Sequence, residues 1–226
     1  MRYNTVIFDL DGTLLDTVGD LADAVNHALR LHNLPVRTDD EIRRFVGNGV
    51  RNLMMKSVYG EEYSNITAYN DPIGVNDFES ALSDFRDYYN SHMTARTRPY
   101  KGITELLKKI KKNGFNVAVV SNKYDGAVKE LCRYYFDDMI DVAVGSTDDI
   151  PRKPEPDMVY RAIEQLPGDI KAVYIGDSEV DVKTAKNTGL TCISCLWGFR
   201  SREQLLEAGA DIFAENPDEL WGLITG

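Results

Sequence analysis

"TVIFDLDGTLLDT" spans Thr5 to Thr17. It starts as a continuous run of β-branched, aliphatic and aromatic residues, then places two carboxylates, Asp9 and Asp11, one residue apart, with Gly12 and Thr13 directly after them. An unbroken apolar strand is one covered on both faces, which is the habit of parallel sheets. Open parallel sheets bind ligands outside the carboxyl ends of their strands, and this strand ends in acid. Residues two apart on an extended chain point the same way, so Asp9 and Asp11 can face one pocket. Two like charges held together repel, and something of opposite charge has to offset them.

Further runs of the same kind follow at 116 to 122 (NVAVVSN), 141 to 146 (DVAVGS), 172 to 178 (AVYIGDS) and 191 to 197 (TCISCLW), with 210 to 215 (ADIFAE) a weaker one. Between and around them, helical spacing is expected near 102 to 113, 124 to 135, 155 to 165, 179 to 188 and 202 to 208. Apolar strands alternating with amphipathic helices predict an α/β fold: an open, parallel, Rossmann-like sheet with helices on both faces. The alternation fails between the first two strands, where about a hundred residues intervene, too many for a structureless loop. There the pattern is helical, with one stripe at Leu21, Ala24, Val25 and Ala28, another from Ile42 to Phe45, and a third in FESALSDFRDYYNSHM. An inserted helical domain at 17 to 96 is therefore expected, inside a core made of 1 to 16 and 97 to 226. Within the insertion the stretch YNDPIGVND (69 to 77) reads as a loop.

The 226 residues are 43% hydrophobic and 27% charged, ordinary for a soluble globular chain and enough to bury a sizeable core. No apolar run approaches the ~20 residues of a membrane span, and the N-terminus has no basic and then apolar leader, so the cytoplasm is the expected address. A formal charge of −10 disfavours nucleic acid or an anionic membrane as partner. The run KKIKK (108 to 112) is read as the solvated face of a helix whose other side carries Ile103, Leu106, Leu107 and Ile110. Three cysteines argue against a disulfide framework, and Cys192 and Cys195 lie in an apolar strand with no second pair or histidine nearby, so they are read as core residues. With His27, His32 and His92 scattered as well, a metal here would be held by oxygen.

The strand ends supply that oxygen. Besides Asp9 and Asp11, they carry Ser121, Asn122 and Lys123 after the second run and Asp177 and Asp181 in GDSEVD; Lys153 lies in RKPEP. Each of these stretches taken singly is also an ordinary turn or helix cap. All four in this order at four strand ends are not. Oxygen ligation without histidine or cysteine suggests a hard cation, with Mg²⁺ preferred for phosphate chemistry and Asp177 as the natural third ligand. Lys153 and backbone N–H groups beside Gly12 and Asn122 could then hold a phosphate dianion.

These residues resemble, motif by motif, the haloacid dehalogenase-like superfamily of phosphatases: DLDGT its first motif, VVSNK its second, RKPEP its third and GDSEVD its fourth. The insertion resembles that family's C1 cap, and FDLDGTLLDT, VGNGVR (46 to 51) and SNK look most like its phosphoglycolate phosphatase-like members. The resemblance implies Asp9 as nucleophile, Asp11 as general acid and base, and Lys153 as a catalytic cation that also restrains Asp9. It implies phosphate contacts from Gly12, Thr13, Ser121, Asn122 and Lys153. It further implies Mg²⁺ held by Asp9, the backbone carbonyl of Asp11 and Asp177, with Gly176 and Asp181 supporting them. The implied partner is a small phosphorylated metabolite, and the implied assembly a monomer or homodimer. Gly47, Asn48, Gly49 and Arg51 are the expected specificity residues of the cap, Arg51 binding a substrate carboxylate; alternatively the glycines simply join two helices.

Rival readings part at particular residues. A hydrolytic dehalogenase would lack Asp11. A β-phosphoglucomutase-like phosphomutase shares all four motifs, and a phosphonate-cleaving relative would need a cap lysine, of which Lys56 is the one present. A non-catalytic phosphate-binding module would have no use for an intact pair at Asp9 and Asp11. A dinucleotide-binding enzyme is disfavoured because no G-x-G-x-x-G follows a strand.

Overall fold

Val6, Ile7 and Phe8 have no exposure to solvent, because the strand that carries them is enclosed from every side. The computed structural model describes residues 2–60, 63 and 75–226. Among these the strands are β1 (Thr5–Phe8), β2 (Leu15–Asp16), β3 (Arg98–Pro99), β4 (Asn116–Tyr124), β5 (Val142–Ser146), β6 (Ala172–Gly176), β7 (Thr191–Cys195) and β8 (Phe213–Ala214). Six form one sheet in the order β5-β4-β1-β6-β7-β8, and every pairing in it is parallel. β1 pairs β4 on one side and β6 on the other, so strand order reverses there and the crevice above its carboxyl end is the ligand position of such sheets.

Two units divide the chain, one of Met1–Asp16 with Arg98–Gly226 and one of Thr17–Thr97. The first contains the sheet with α5 (Ile103–Lys112), α6 (Asp125–Phe136), α7 (Asp157–Glu164), α8 (Glu179–Thr188), α9 (Arg202–Glu207) and α10 (Pro217–Thr225); the second contains α1 (Val18–Leu31), α2 (Asp39–Phe45), α3 (Gly49–Tyr59) and α4 (Val75–His92). On one sheet face Ile7, Ala118, Val120, Val144 and Tyr174 pack on Met158, Val159 and Ala162 of α7 and Ala185 of α8. Their neighbours Val6, Phe8, Val117, Val119, Val173 and Ile175 point the opposite way and are equally buried. Both faces are covered, which is why these strands read as unbroken apolar runs. In α5 the stripe Ile103, Leu106, Leu107 and Ile110 is buried while Lys108, Lys109 and Lys112 stand exposed.

The α/β architecture is the expected one; the differences are local. Expected strands that ran to 178 and 197 stop at Gly176 and Cys195, so the residues beyond are free to turn into the site. The weak run at 210 to 215 pairs only at Phe213–Ala214, and the last helix, α10, was not expected although Asn216 caps it and Pro217 opens it. α3 is the second of the two helices that Gly47 and Gly49 are read as joining, although no apolar stripe marks it in the sequence. Of the expected loop at 69 to 77, residues 69–74 lie outside the described residues and the rest is the start of α4. No helix among the described residues is long and apolar enough to cross a membrane.

The helical unit buries Leu21, Val25, Ala28, Leu53, Met54, Phe78, Leu82 and Phe85. Its start and return are tied by one carboxylate: Asp20, 2% exposed, accepts from the backbone N–H of Arg96 and of Thr97, both at 2.8 Å. Replacing Asp20 with Ala leaves these donors without their acceptor and should lower stability by about 2 kcal/mol, with Asp20→Asn losing roughly half as much. Chemical denaturation of the two variants measures this, and an unchanged midpoint in Asp20→Ala would remove the role.

Candidate functional site

Lys153 lies before α7 with a side chain 3% exposed, and its ammonium spends all three protons on protein oxygens. Nζ is 2.7 Å from Asp9 Oδ1, 2.8 Å from Asp181 Oδ1 and 3.0 Å from the Tyr174 hydroxyl. Burial works against its charge, but the Asp181 and Asp9 carboxylates outweigh burial and hold its pKa well above the ordinary lysine value. Tyr174 in turn donates to Asp181 Oδ1 at 3.1 Å. The other Asp181 oxygen accepts from the Ser178 N–H and hydroxyl, because Ser178 and Asp181 form the capping box that starts α8. Asp181 reaches this position because residue 176 is glycine: a Cβ there would lie 2.3 Å from that of Asp181.

Asp177 follows β6 and sits beside Asp9. Thr13 Oγ1 donates to its Oδ1 at 2.9 Å and the Phe199 N–H to its Oδ2 at 2.7 Å. Gly12, at φ 91° in the left-handed region, turns the chain after Asp11, and a Cβ on it would lie 2.3 Å from Asp177 Oδ2. Burial pushes Asp177 well above the usual carboxylate range, and burial likewise lifts Asp9 to about 7 although Lys153 pulls it down. One oxygen from each of Asp9, Asp177 and Asp181 lies within 4.8 Å of the others. Asp181 is committed to Lys153, Tyr174 and Ser178, so Asp9 and Asp177 are better placed to act as ligands.

The sequence reading gave Lys123 no role. The structure buries it at the end of β4, with Nζ 2.8 Å from Asp11 Oδ1. Its N–H donates to Ser121 Oγ at 3.2 Å, and Asn122 donates from Nδ2 to the Lys153 carbonyl at 2.9 Å, so the second and third motif stretches are directly joined. Four carboxylates thus face two ammonium groups, an excess of two negative charges in a buried space. All-oxygen donors with that excess fit one hard divalent cation, which would restore neutrality and keep Asp9 ionised.

In the helical unit, Gly47 and Gly49 take positive φ of 128° and 82° around Asn48, joining α2 to α3. Arg51, in the first turn of α3, gives both Nη groups to Glu79 of α4 at 3.1 and 2.6 Å and lies over the Phe78 ring. Burial holds the Cys192 and Cys132 thiols up to about 12 and Cys195 well above its ordinary value, as for thiols packed in a core.

The sequence profile of the haloacid dehalogenase-like hydrolases matches residues 6–195. This chain belongs to that family. Like other haloacid dehalogenase-like hydrolases named for phosphate esters, it is a phosphoric monoester hydrolase. A phosphoglycolate phosphatase of Mesorhizobium japonicum is 31% identical over 210 residues, covering 89% of this chain and 86% of its own. An N-acetylmuramic acid 6-phosphate phosphatase of Pseudomonas aeruginosa is 30% identical and covers 97% and 94%. A crystal structure from Lactobacillus delbrueckii subsp. bulgaricus, of a protein provisionally assigned as a phosphoglycolate phosphatase, superposes with a TM-score of 0.89 at 34% identity and full coverage of both chains.

With chelator present, the raised pKa of Asp9 carries a sign. Between its ordinary value of 3.8 and about 7 the folded hydrolase binds a proton that the unfolded chain has released, so the stability contributed by Asp9 falls as pH rises through that window. The melting temperature of wild type minus that of Asp9→Asn should therefore decrease from about pH 4 to about pH 7. A difference that stays constant with pH would show that Asp9 is not held in this way.

Proposed function

We propose that this hydrolase is a Mg²⁺-dependent phosphatase of small phosphate monoesters, phosphoglycolate first among them, working through an aspartyl-phosphate. The observation that carries the reading is the Asp9 carboxylate, buried, gripped at Oδ1 by Lys153 and flanked by Asp177 and Asp11. The relatives named for phosphoglycolate support the substrate class, and the relative named for a sugar acid phosphate widens it.

In this reading Lys153 orients Asp9, whose carboxylate attacks phosphorus while the ester P–O bond breaks. Asp11, protonated, gives its proton to the departing alkoxide. As a carboxylate it then takes a proton from water, whose oxygen attacks the same phosphorus and breaks its bond to Asp9, releasing inorganic phosphate. Ser121 and the backbone N–H at Asn122 hold the phosphoryl oxygens; Gly12 and Thr13, expected to join them, instead give their N–H groups to the carbonyls of Leu15 and Leu10 and shape the turn beside the phosphate, while Lys153 acts on it through Asp9. Asp9, the Asp11 carbonyl and Asp177 would hold Mg²⁺, with Gly176 and Asp181 supporting that arrangement. When bound, the ion would neutralise the charge shared by the phosphoryl oxygens and the carboxylates. Lys123, salt-bridged to Asp11, fixes where the acid and base stands. The helical unit, Thr17–Thr97, is the proposed cap, with Gly47, Asn48, Gly49 and Arg51 as its specificity residues. A cytoplasmic site of action fits this chemistry.

Phosphate release in Mg²⁺ from phosphoglycolate, sugar phosphates, nucleotides and pyrophosphate tests the reading: one ester should dominate, and Asp9→Asn should lower kcat by at least ~10⁴-fold. Activity surviving in that variant would overturn the nucleophile, and sugar phosphate isomers interconverting without phosphate release would make the protein a mutase.

Arg51→Ala should raise KM for esters carrying a carboxylate by roughly tenfold and leave neutral-tailed esters near their wild-type values, in line with a lost charged hydrogen bond. Unchanged KM values for every anionic ester would leave Arg51 only its bridge to Glu79.

A further inference from the structure

The segment that leaves β7, Trp197 to Arg200, takes no part in the chemistry above, yet it closes around Asp177. The Phe199 N–H donates to Asp177 Oδ2 at 2.7 Å, while the Trp197 indole N–H donates to the Thr13 carbonyl at 3.0 Å. Thr13 Oγ1 donates to Asp177 Oδ1 at 2.9 Å, so the three contacts close a ring in which each Asp177 oxygen is bonded once. Arg200, 9% exposed, anchors the far end of the segment to the first turn of α8 through Glu179 at 2.9 Å. Gly198 sets the distance. Its φ is outside the left-handed region, so an alanine could adopt the same backbone, but a Cβ there would lie 2.3 Å from Asp177 Cβ and 2.5 Å from its Cγ. The need for glycine at 198 is thus steric and is set by Asp177.

We propose that Trp197–Arg200 is a positioning clamp for Asp177 that sets the affinity of the site for its divalent cation. This rests on the reading above that Asp177 holds such an ion. A carboxylate packed between Gly12 and Gly198 and bonded once at each oxygen has one orientation, and an ion that needs its oxygens at fixed distances binds best when they are already there.

The test uses the whole protein and Mn²⁺ alone, its free form counted by electron paramagnetic resonance, together with the Mg²⁺ dependence of turnover. Gly198→Ala should weaken Mn²⁺ binding by about tenfold or more and raise the Mg²⁺ concentration for half-maximal rate in proportion, with kcat at saturating Mg²⁺ within a few-fold of wild type. Trp197→Phe removes the indole donor while keeping an aromatic ring, smaller than indole, in its place, and should weaken Mn²⁺ by a few-fold; it stands in if Gly198→Ala does not fold. Variants that bind Mn²⁺ as wild type does, or that lose kcat at unchanged affinity, overturn the clamp. A wild type that takes up no Mn²⁺ overturns the metal reading itself, and the clamp with it.

Discussion

The buried ammonium of Lys153 is the contact around which this core is arranged. An isolated charge at 3% exposure would be prohibitive, and Lys153 is tolerated because Asp9, Asp181 and Tyr174 surround it with oxygens. Those three come from the end of β1, the first turn of α8 and the middle of β6, so the ammonium fastens elements far apart in sequence. It does so at the one place in the sheet where strand order reverses. The same contact gives the Asp9 carboxylate a single orientation at the mouth of the crevice there.

Around it the packing is too close for side chains at three places. Gly12, Gly176 and Gly198 each border a carboxylate that would collide with a methyl group, so Asp177 and Asp181 are placed by the absence of atoms as much as by hydrogen bonds. The cost is charge: four carboxylates and two lysines in a nearly dry space do not balance, and burial lifts Asp9 and Asp177 out of the usual carboxylate range. An excess of buried negative charge works against the folded state, which is the familiar tension between stability and activity.

The parallel sheet and the helix alternation were legible because the core strands are unbroken apolar runs between amphipathic stripes, whereas the strand order was not. Asp9, Asp11, Lys153, Asp177 and Asp181 were legible as a group because they fall in short polar stretches that follow the apolar runs. Other features left weaker traces. α3 buries Ser57 within its stripe and lacks a side-chain cap, so its period is blurred. α10 is marked by Asn216 and Pro217, but its signal is weak beside the run that ends just before it. The pairing of Lys123 with Asp11 depends on the register of β4 beside β1, which no local pattern states. Phe199 acts through a backbone N–H, and an N–H has no residue type to read.

The short ribbon of β2 and β3 sets Leu15 opposite Pro99 and Asp16 opposite Arg98. The two strands where the chain departs from and rejoins the sheet unit are therefore neighbours at ladder distance, about 5 Å. To the sheet unit, everything from Thr17 to Thr97 is topologically the tip of a hairpin. Closure entropy grows only as the logarithm of loop length, so lengthening or exchanging that tip costs the rest of the fold little. A lineage built this way can try new helical inserts while leaving the acids and the lysine where they are.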